Sequence, residues 1–436
     1  MDHFDRKEQE TFDRKLRENL KRAAEGVNLS PQEERRIHDG ILSRCPEQRK
    51  RIAILFGGCS PEYGVSLQSA YSVITHLDRE KYEPVLIGIS NAGDWFQYVG
   101  EIEKIPIDTW CNEEDCIPVV VSPNRTVHGI VTIKNGKIRE THIDAVFPVL
   151  HGKNGEDGTV QGMFELAGIP VVGCGVLSSA LCMDKDRAHK LVQAAGISVP
   201  QSFVLQGGGD AETAIRQAER IGYPLFVKPV GAGSSYGITK VTGRNQLPEA
   251  LKLAFSYDST VIVEECISGF EVGCAVLEND GFVVGEVDEI ELENGFFDFT
   301  EKYTLKTSSI HVPARISAEK AGEIKETAKL IFKTLDCRGF ARVDMFLDDT
   351  GRIVFNEVNT IPGFTTHSRF PNMMKAAGIS LEQVISMTID RTVTSLQGSS
   401  SAAPIRTKDA AAVCSRNSYF PSCQFICGTA ERYGGC

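Results

Sequence analysis

Two β-rich runs separated by a short polar turn constrain the fold of this chain more than any other feature. The runs "ARVDMFL" and "RIVFNEV" flank Asp-Thr-Gly, which predicts an antiparallel hairpin over residues 341–359. A loop of two or four residues centred near Thr350 would put Asp344, Glu357 and Asn359 on one face, whereas a loop of odd length would separate them. Three converging oxygen ligands suit a hard cation that also binds nucleotide phosphates. The hairpin therefore predicts a metal site, because a surface salt bridge would not explain an asparagine in step with two acids.

The residues that follow Arg51 indicate an open α/β domain. "RIAILFGG" is a short apolar run ending in glycines, "VSLQSAYSVITHL" has helical periodicity, and "YEPVLIGIS" is a second strand. This β-α-β order predicts an open parallel sheet with ligand-binding groups at the carboxyl ends of its strands.

The length of the chain predicts more than one hydrophobic core, since 436 residues exceed what a single core usually serves. The fold class that the motifs predict is mixed α/β. We expect a polar helical extension over residues 1–48, an N-terminal α/β domain over 49–172, a central subdomain with a glycine loop over 173–264, a C-terminal subdomain over 265–394, and a low-complexity tail over 395–436.

Charge and composition exclude several classes of partner. A formal net charge of -11 argues against non-specific binding to nucleic acid or to an anionic membrane. No apolar run approaches the ~20 residues of a membrane span, and the charged N-terminus lacks the apolar core of a signal peptide. We therefore expect a cytoplasmic enzyme without nucleic-acid or membrane partners.

The 13 cysteines fall into two groups. Nine are scattered, mostly beside apolar residues, and in a reducing compartment they are expected to be small core residues. The other four could form a zinc site, but they contain one close pair where structural sites usually have two, which favours a disordered or non-native tail. These four are Cys414, Cys423, Cys427 and Cys436.

Two further segments have the composition of a nucleotide site. "KPVGAGSSYGITKV" places three glycines and two serines between β runs, so the backbone N–H groups of its tip and the ammonium of Lys228 could bind phosphate; a plain hairpin tip is the alternative. "VIVEECISGFEVGCAVL" could bind an adenine edge through backbone and ribose hydroxyls through Glu271, although strand-end charges of this kind are common.

Isolated polar residues near predicted strand ends are further candidates, each with a solvated charge as the alternative. Acids on glycine-flanked loops suit contact with a cationic substrate, because binding residues favour loops on a rigid scaffold. The candidates are Glu62, His151, Glu156, Lys185, Lys302, Tyr303 and Arg342.

Taken together, these motifs resemble the D-alanine–D-alanine ligase family of the ATP-grasp superfamily, over about Arg51 to Thr394. The matching motifs, in order, are "HGKNGEDGTVQG", "MDKDRAHK", "GSSYGITKV", "ARVDMF" and "FNEVNTIPGFTTHS". The resemblance implies a three-domain ATP-grasp fold and a magnesium- and ATP-dependent ligase that phosphorylates D-alanine. A second D-amino acid would then attack the acyl phosphate, giving a peptidoglycan precursor. A homodimer is the expected assembly.

The resemblance also implies roles for residues in contact with the substrates. Glu62 would hold the ammonium group of the first D-alanine, beside His151. Arg342 and the N–H of Gly363 would face the acyl phosphate, and Ser368 the second carboxylate. A hydrogen-bonded set over the site would comprise Glu156, Ser234 and Tyr303.

For the cofactors, the resemblance implies ATP and two Mg²⁺ or Mn²⁺ ions. The ions would be held by Asp344, Glu357 and Asn359. The ATP-binding set would comprise Lys185, Lys228, Ser234, Ser235, Glu264, Glu271 and Lys302, with the backbone of Glu265 and Ile267.

The chain departs from the family pattern at two glycines. Gly64 stands where the family usually has a second acid, and Gly231 replaces a basic residue beside the glycine loop. The first departure would loosen the N-terminal substrate loop and the second removes a charge near phosphate, but neither changes the metal set.

Acceptor specificity depends on Arg369 in this comparison. Ligases that make D-alanyl-D-alanine usually have an aliphatic residue there, whereas Arg369 and Phe299 resemble the D-alanine–D-serine ligases of vancomycin-resistance clusters. An arginine can hydrogen-bond a serine hydroxyl, and the pair Lys302-Tyr303 argues against D-lactate. The alternatives are a housekeeping D-alanine–D-alanine ligase, an ATP-grasp ligase for another substrate pair, and a catalytically silent ATP-binding regulator.

Overall fold

A computed structural model describes residues 49–207, 211–231, 236–292 and 308–399. The predicted helical extension over 1–48 and the cysteines of the tail lie outside the described residues. The described residues that precede Ser395 belong to one compact unit. The predicted tail boundary at residue 395 falls within a helix, because the last described helix continues to Ser399.

The first sheet has seven strands, in the order β6-β5-β4-β3-β2-β1-β7. Strand β1 pairs in parallel with β2 and β7, whereas β3 to β6 pair antiparallel, so the predicted open α/β sheet is parallel only around β1. Helix α1 follows β1 and buries its apolar residues against the sheet. The strands and helix are β1 (Lys50–Gly57), α1 (Tyr63–Thr75), β2 (Tyr82–Ile89), β3 (Trp95–Tyr98), β4 (Cys116–Val121), β5 (Gly129–Lys134), β6 (Lys137–His142) and β7 (Ala145–Pro148).

Three helices connect the first sheet to the second. Within the motif "MDKDRAHK" one helix ends at Met183 and the next begins at Lys185. Asp184 separates them because its side chain accepts a hydrogen bond from the N–H of Arg187 and caps the second helix. The helices are α2 (Thr159–Ala167), α3 (Val176–Met183) and α4 (Lys185–Ala194).

The second sheet has four antiparallel strands in the order β10-β9-β11-β8, and two helices cover one face. Its inner strands are the predicted runs "PLFVKPV" and "TVIVEEC". The elements are β8 (Ser202–Gln206), α5 (Ala211–Ile221), β9 (Leu225–Pro229), β10 (Thr239–Val241), α6 (Leu247–Phe255) and β11 (Thr260–Glu265).

The third sheet has six antiparallel strands and contains the predicted hairpin. Its strands follow the order β15-β14-β12-β16-β17, and β13 pairs with β12. The elements are β12 (Gly269–Glu278), β13 (Phe282–Val284), β14 (Asp288–Leu292), β15 (Ser308–His311), α7 (Ala318–Thr334), β16 (Phe340–Asp348), β17 (Ile353–Asn359), α8 (Arg369–Ala376) and α9 (Leu381–Ser399). Short 3₁₀ turns lie at Ile102–Lys104 and Arg244–Gln246.

The hairpin of β16 and β17 forms as predicted, but the prediction that its loop has an even number of residues is wrong. Leu347 pairs with Ile353, and the N–H of Asp348 donates to Arg352 O at 3.0 Å, which leaves three residues in the loop. The side chain of Asp348 accepts hydrogen bonds from the N–H groups of Thr350 and Arg352, which favours this tight turn.

A β-bulge at Asn356 restores the predicted face. Met345 pairs with Phe355, but the next residue back, Asp344, pairs with Glu357, so Asn356 is an extra residue in β17. Without it Asp344 would oppose Asn356, and Glu357 would point to the other side of the sheet. The bulge thus compensates for the odd loop.

The first and third sheets share a core at the face that bears the site. Phe147 of β7 lies 5.7 Å from Phe364 between ring centroids, and Phe364 lies 5.3 Å from Phe340 and 5.7 Å from Phe370. All four rings are buried, so the segment from β17 to α8 is anchored against both sheets. None of the helices in the described part of the chain has the length and apolar character that a membrane crossing requires.

Candidate active site

Four polar side chains of the hairpin lie on one face of the third sheet. Arg342 pairs with Asn359 across the strands, and Asp344 pairs with Glu357. Arg342 donates from Nε to Asp344 Oδ1 at 2.8 Å and from Nη2 to Oδ2 at 2.7 Å. Asn359 Nδ2 donates to the same Oδ2 at 2.8 Å. Asp344 is therefore a buried carboxylate surrounded by donors, with Glu357 and Asn359 beside it.

The donor set suits a hard cation, with one restriction. Glu357 and Asn359 line a cavity of about 550 Å³, while Asp344 lies beneath them and is 1% exposed. Both oxygens of Asp344 already accept hydrogen bonds, so Asp344 joins a metal site only where Arg342 gives up part of its pairing. Within the described ranges no group of three or more His, Cys, Asp or Glu side chains is arranged to hold a metal. Of the three predicted metal ligands, the carboxylate of Glu357 and the carboxamide of Asn359 therefore line the cavity, and the metal set stays a prediction.

Arg369, the first residue of α8, is the centre of a buried ion-pair network. Its Nε donates to Asp288 Oδ2 at 2.7 Å and its Nη2 to Asp288 Oδ1 at 2.8 Å. Its Nη1 donates to Glu271 Oε1 at 2.6 Å and lies 3.5 Å from Asp344 Oδ1. Although burial opposes the charge, Asp288 and Asp344 hold the pKa of Arg369 well above its usual value. Arg369 is also one of the residues that line the cavity.

Two members of this network were not predicted from the sequence. Asp288 is fully buried in β14 and also accepts the N–H of Gly273 at 2.8 Å. Gly273 leaves room for the ion pair, because a Cβ there would lie 2.4 Å from Arg369 Nη2 and 2.6 Å from Asp288 Oδ1. The sequence signal for Asp288 was its position inside a strand, because a buried strand position tolerates an acid only beside a partner charge.

The loops after β1 and β7 carry three predicted substrate residues into the same cavity. Glu62, His151 and Glu156 are all lining residues, and they come from two loops at the carboxyl ends of β1 and β7. Glu156 accepts the N–H of Gly152 at 2.9 Å and the N–H of Ile361 at 3.0 Å. This carboxyl therefore joins the loop after β7 to the segment after β17.

Burial sets the charge state of Glu156 and His151. Burial, together with the nearby charge of Glu62, raises the pKa of Glu156 to about 8. Burial lowers the pKa of His151, whose Nδ1 donates to Ile361 O at 2.9 Å. The other ring nitrogen, Nε2, then accepts from Ser69 Oγ at 3.2 Å. A protonated Glu156 beside Glu62 leaves Glu62 as the acid that can meet a cationic group.

Several of the predicted phosphate and nucleotide residues lie in the second sheet or next to it. Lys228 of β9 pairs with Glu264 of β11, Nζ to Oε2 at 2.6 Å, and both are buried. Burial opposes both charges, but each partner stabilises the other, so the pKa of Lys228 is raised and that of Glu264 is lowered. Lys185 lines the cavity from the start of α4. The N–H of Glu265 donates to Gln201 O at 2.9 Å and is thus already paired.

The segment after β17 presents Gly363 and Ser368 to the cavity. Ser368 Oγ accepts the N–H of Thr365 at 3.1 Å and lies 2.8 Å from Thr365 Oγ1. A Cβ at Gly363 would lie 2.6 Å from Ser368 Oγ, so this close turn requires glycine. Of the predicted site residues, ten line one cavity: Glu62, His151, Glu156, Lys185, Arg342, Glu357, Asn359, Gly363, Ser368 and Arg369.

The remaining predicted site residues divide into three groups. Asp344, Lys228, Glu264 and Glu271 lie behind the cavity wall in ion pairs with the cavity residues or with one another. Glu265 is the last residue of β11 and Ile267 follows shortly after it, and the adenine-binding role of their backbone stays a prediction. Five others lie outside the described residues, and their roles stay predictions: Ser234, Ser235, Phe299, Lys302 and Tyr303. Gly64 is the second residue of α1 and lines the cavity, where a Cβ would meet nothing within 4 Å, and the loosening of the substrate loop stays a prediction.

Comparison with known proteins places the chain in a family. The family described as "D-ala D-ala ligase N-terminus" matches residues 51–174, and "D-ala D-ala ligase C-terminus" matches residues 191–390. Vancomycin/teicoplanin A-type resistance protein VanA of Enterococcus faecium is 47% identical over 78% of this chain and 98% of its own length. The D-alanine–D-alanine ligase of Caldicellulosiruptor bescii is 45% identical over 78% of this chain and 94% of its own length.

A solved structure agrees with these sequence matches. VanG D-Ala:D-Ser ligase from Enterococcus faecalis superimposes with a TM-score of 0.74 and is 58% identical, covering 79% of this chain and 99% of its own. The chain therefore belongs to the D-alanine–D-alanine ligase family, with the mixed α/β ATP-grasp fold, and is an ATP-dependent ligase of D-alanine and a second small molecule.

Proposed function

We propose that the chain joins D-alanine to D-serine through a D-alanyl phosphate, for a peptidoglycan precursor of the vancomycin-resistance type. The observation that carries the proposal is Arg369, a buried guanidinium that lines the cavity and is held by Asp288. Its three short hydrogen bonds use three of its five N–H groups, so donors remain for a hydroxyl in the cavity.

A fixed guanidinium favours a hydroxyl over a methyl for a physical reason. A site built around a buried donor leaves that donor without a partner when the acceptor substrate carries only a methyl group, and this discriminates more strongly than an apolar pocket does. Asp288 and Gly273 keep the side chain from rotating away, because the ion pair and the absent Cβ fit one position of Arg369. The 58% identity to VanG D-Ala:D-Ser ligase supports the same acceptor.

The other cavity residues are suited to the preceding steps. Glu62, 7% exposed, would bind the ammonium of the first D-alanine. Arg342 and the N–H of Gly363 would stabilise charge on the acyl phosphate and on the tetrahedral oxyanion. Lys185 and Lys228 would neutralise the ATP phosphates, since phosphoryl transfer depends mainly on positioned cations.

Magnesium would be held by Glu357 and Asn359, with Asp344 as a further ligand once Arg342 shifts. Bound there, the ion would align and neutralise phosphate oxygens. A pair of Mg²⁺ ions at these residues, with Mn²⁺ as a substitute, is proposed from the resemblance. A three-domain division at residues 172 and 264, a homodimer and a cytoplasmic location are likewise proposed from the family pattern.

A comparison of acceptors tests this function. Phosphate release from ATP would be measured with D-alanine as first substrate and D-serine, D-alanine or D-lactate as second, for the parent and for Arg369→Leu. We expect D-serine to be preferred and the ratio to shift toward D-alanine in the variant. Arg338→Leu, an exposed residue outside the cavity, is the matched control.

Two results would overturn parts of the proposal. Equal use of D-serine and D-alanine by the parent and by Arg369→Leu would remove the acceptor assignment and leave a D-alanine–D-alanine ligase. ATP binding without phosphate release that depends on D-alanine would instead favour a catalytically silent regulator.

A further inference from the structure

His189 of α4 lies between the second and third sheets. It is 3% exposed, and its ring packs edge-on against Phe355 of β17 with centroids 5.5 Å apart. Its two nitrogens face different sheets, one toward β17 and one toward β11. His189 is therefore a buried polar residue that contacts both sheets.

The first contact involves the bulge in β17. His189 Nε2 donates to the carbonyl of Asn356 at 2.9 Å, and Asn356 is the extra residue that restores Glu357 to the face of Asp344. β17 is the edge strand of its sheet, so its outward carbonyls need partners from outside the ladder. The neighbouring Phe355 N–H donates to Ser198 O at 2.9 Å, and His189 provides the next bond along the edge.

The apolar pattern of β17 shows why this bond matters. Phe355 and Val358 are in the same buried core cluster although they are three residues apart, which requires the extra residue between them. Glu357 is fixed on the opposite face by the same bulge. Without the His189 donor, the carbonyl of Asn356 would be a buried acceptor without a hydrogen bond. This is unfavourable, and we expect the bulge to relax.

The second contact involves the lysine–glutamate pair of the second sheet. His189 Nδ1 lies 3.7 Å from Glu264 Oε1, while the other oxygen, Oε2, accepts from Lys228 Nζ at 2.6 Å. Neither Nδ1 nor Oε1 has a hydrogen bond, and both are buried. This contact is thus looser than the one to Asn356.

We propose that His189 is a positioning residue for the ligase reaction, which acts by donating Nε2–H to Asn356 O and so holding Glu357 where a metal ion and phosphate meet. The proposal rests on the metal role given above for Glu357. The contact with Glu264 is secondary, so loss of the Nε2 donor should matter more than loss of Nδ1.

Two conservative variants separate the contacts. The amide nitrogen of His189→Gln occupies about the place of Nε2, and that of His189→Asn about the place of Nδ1. The Mg²⁺ concentration for half-maximal phosphate release would be measured for each, together with Mn²⁺ binding in the presence of ADP and without D-alanine. Backbone hydrogen exchange over residues 353–359 gives a readout that requires no catalysis. His76→Gln, in a partly exposed residue that lies outside the cavity, is the control.

The expected result is asymmetric. His189→Gln should stay within about threefold of the parent in all measurements, whereas His189→Asn should raise the half-saturating Mg²⁺ about tenfold, weaken Mn²⁺ binding similarly and speed exchange in β17. Equal effects of the two variants, or unchanged metal dependence and exchange in His189→Asn, would overturn the proposal. Should the parent show no metal-dependent activity, the proposed function fails, and hydrogen exchange alone still decides whether His189 holds the bulge.

Discussion

The guanidinium of Arg369 meets the carboxylate of Asp288 at two points, Nε to Oδ2 at 2.7 Å and Nη2 to Oδ1 at 2.8 Å. The two residues are 81 positions apart in the chain, yet both are buried, and Arg369 lines the cavity. A paired contact of this kind fixes the plane as well as the position of the guanidinium. The orientation of the guanidinium is therefore determined by Asp288 of β14.

Replacing Asp288 should cost both stability and selectivity. Asp288→Ala leaves a buried guanidinium with one partner fewer, and we expect a loss of about 3 kcal/mol in the free energy of unfolding. Asp288→Asn, which can still accept the N–H of Gly273, should lose less. Urea denaturation measures this, with Asp336→Asn as control because its ion pair with Arg338 is exposed. An unchanged unfolding midpoint in Asp288→Ala would contradict the role of the ion pair.

A methyl group at Gly273 should disturb acceptor binding. In Gly273→Ala the new Cβ would clash with Arg369 Nη2, Asp288 Oδ1 and the terminal methyl of Met373, so Arg369 must move. We expect the KM for the second substrate to rise several-fold more than the KM for ATP. The matched control is Gly322→Ala in α7, where a Cβ meets nothing within 4 Å. Parallel changes in both KM values would mean that the clash is absorbed elsewhere.

The raised pKa of Glu156 predicts a stability that falls with rising pH. The folded carboxyl has a pKa of about 8 against an ordinary value of 4.5, so between these limits the folded state binds a proton that the unfolded state has lost. The contribution of this group is complete below pH 4.5 and is lost as the pH rises through 8, with a slope of up to about 1.4 kcal/mol per pH unit. Urea denaturation at several pH values should show this slope in the parent and its loss in Glu156→Gln. The same slope in both proteins would assign it to another group.

The buried pair of Lys228 and Glu264 should show strong coupling. Lys228→Met leaves Glu264 as a buried carboxylate without its ammonium, and we expect a loss of about 3 kcal/mol in the free energy of unfolding. The double variant Lys228→Met with Glu264→Leu should recover part of that loss, because no charge is then stranded. Additive losses in the double variant would show that the two residues act independently. ATP binding should weaken both in Lys228→Met and in the double variant.

The sequence predicted the elements better than the contacts between them. The hairpin, the strand "RIAILFGG" and the helix after it are confirmed, because each is encoded by a local run of apolar residues. The common face of Asp344 and Glu357 was predicted from an even loop that does not exist. The spacing of Phe355 and Val358, three rather than two, was the local sign of the bulge.

Ion pairs between segments that are distant in the chain could not be predicted in the same way. Asp288 is an acid in an otherwise ordinary strand, and nothing near it in the chain identifies Arg369 as its partner. The split between Met183 and Lys185 was also missed, although Asp184 is a common type of capping residue. The metal ligands and the ATP-binding residues remain predictions that the geometry accommodates.

The hairpin of β16 and β17 contains two features that each reverse which side chains face the cavity, and the two reversals cancel. An odd turn reverses which residues face the cavity, and the extra residue at Asn356 reverses them again. A homologous chain that gained or lost one turn residue could keep its reactive face by losing or gaining one residue near the bulge. Insertions and deletions at these two places are therefore expected to occur as compensating pairs, so the tip of the hairpin can vary in length over evolution without displacing Glu357.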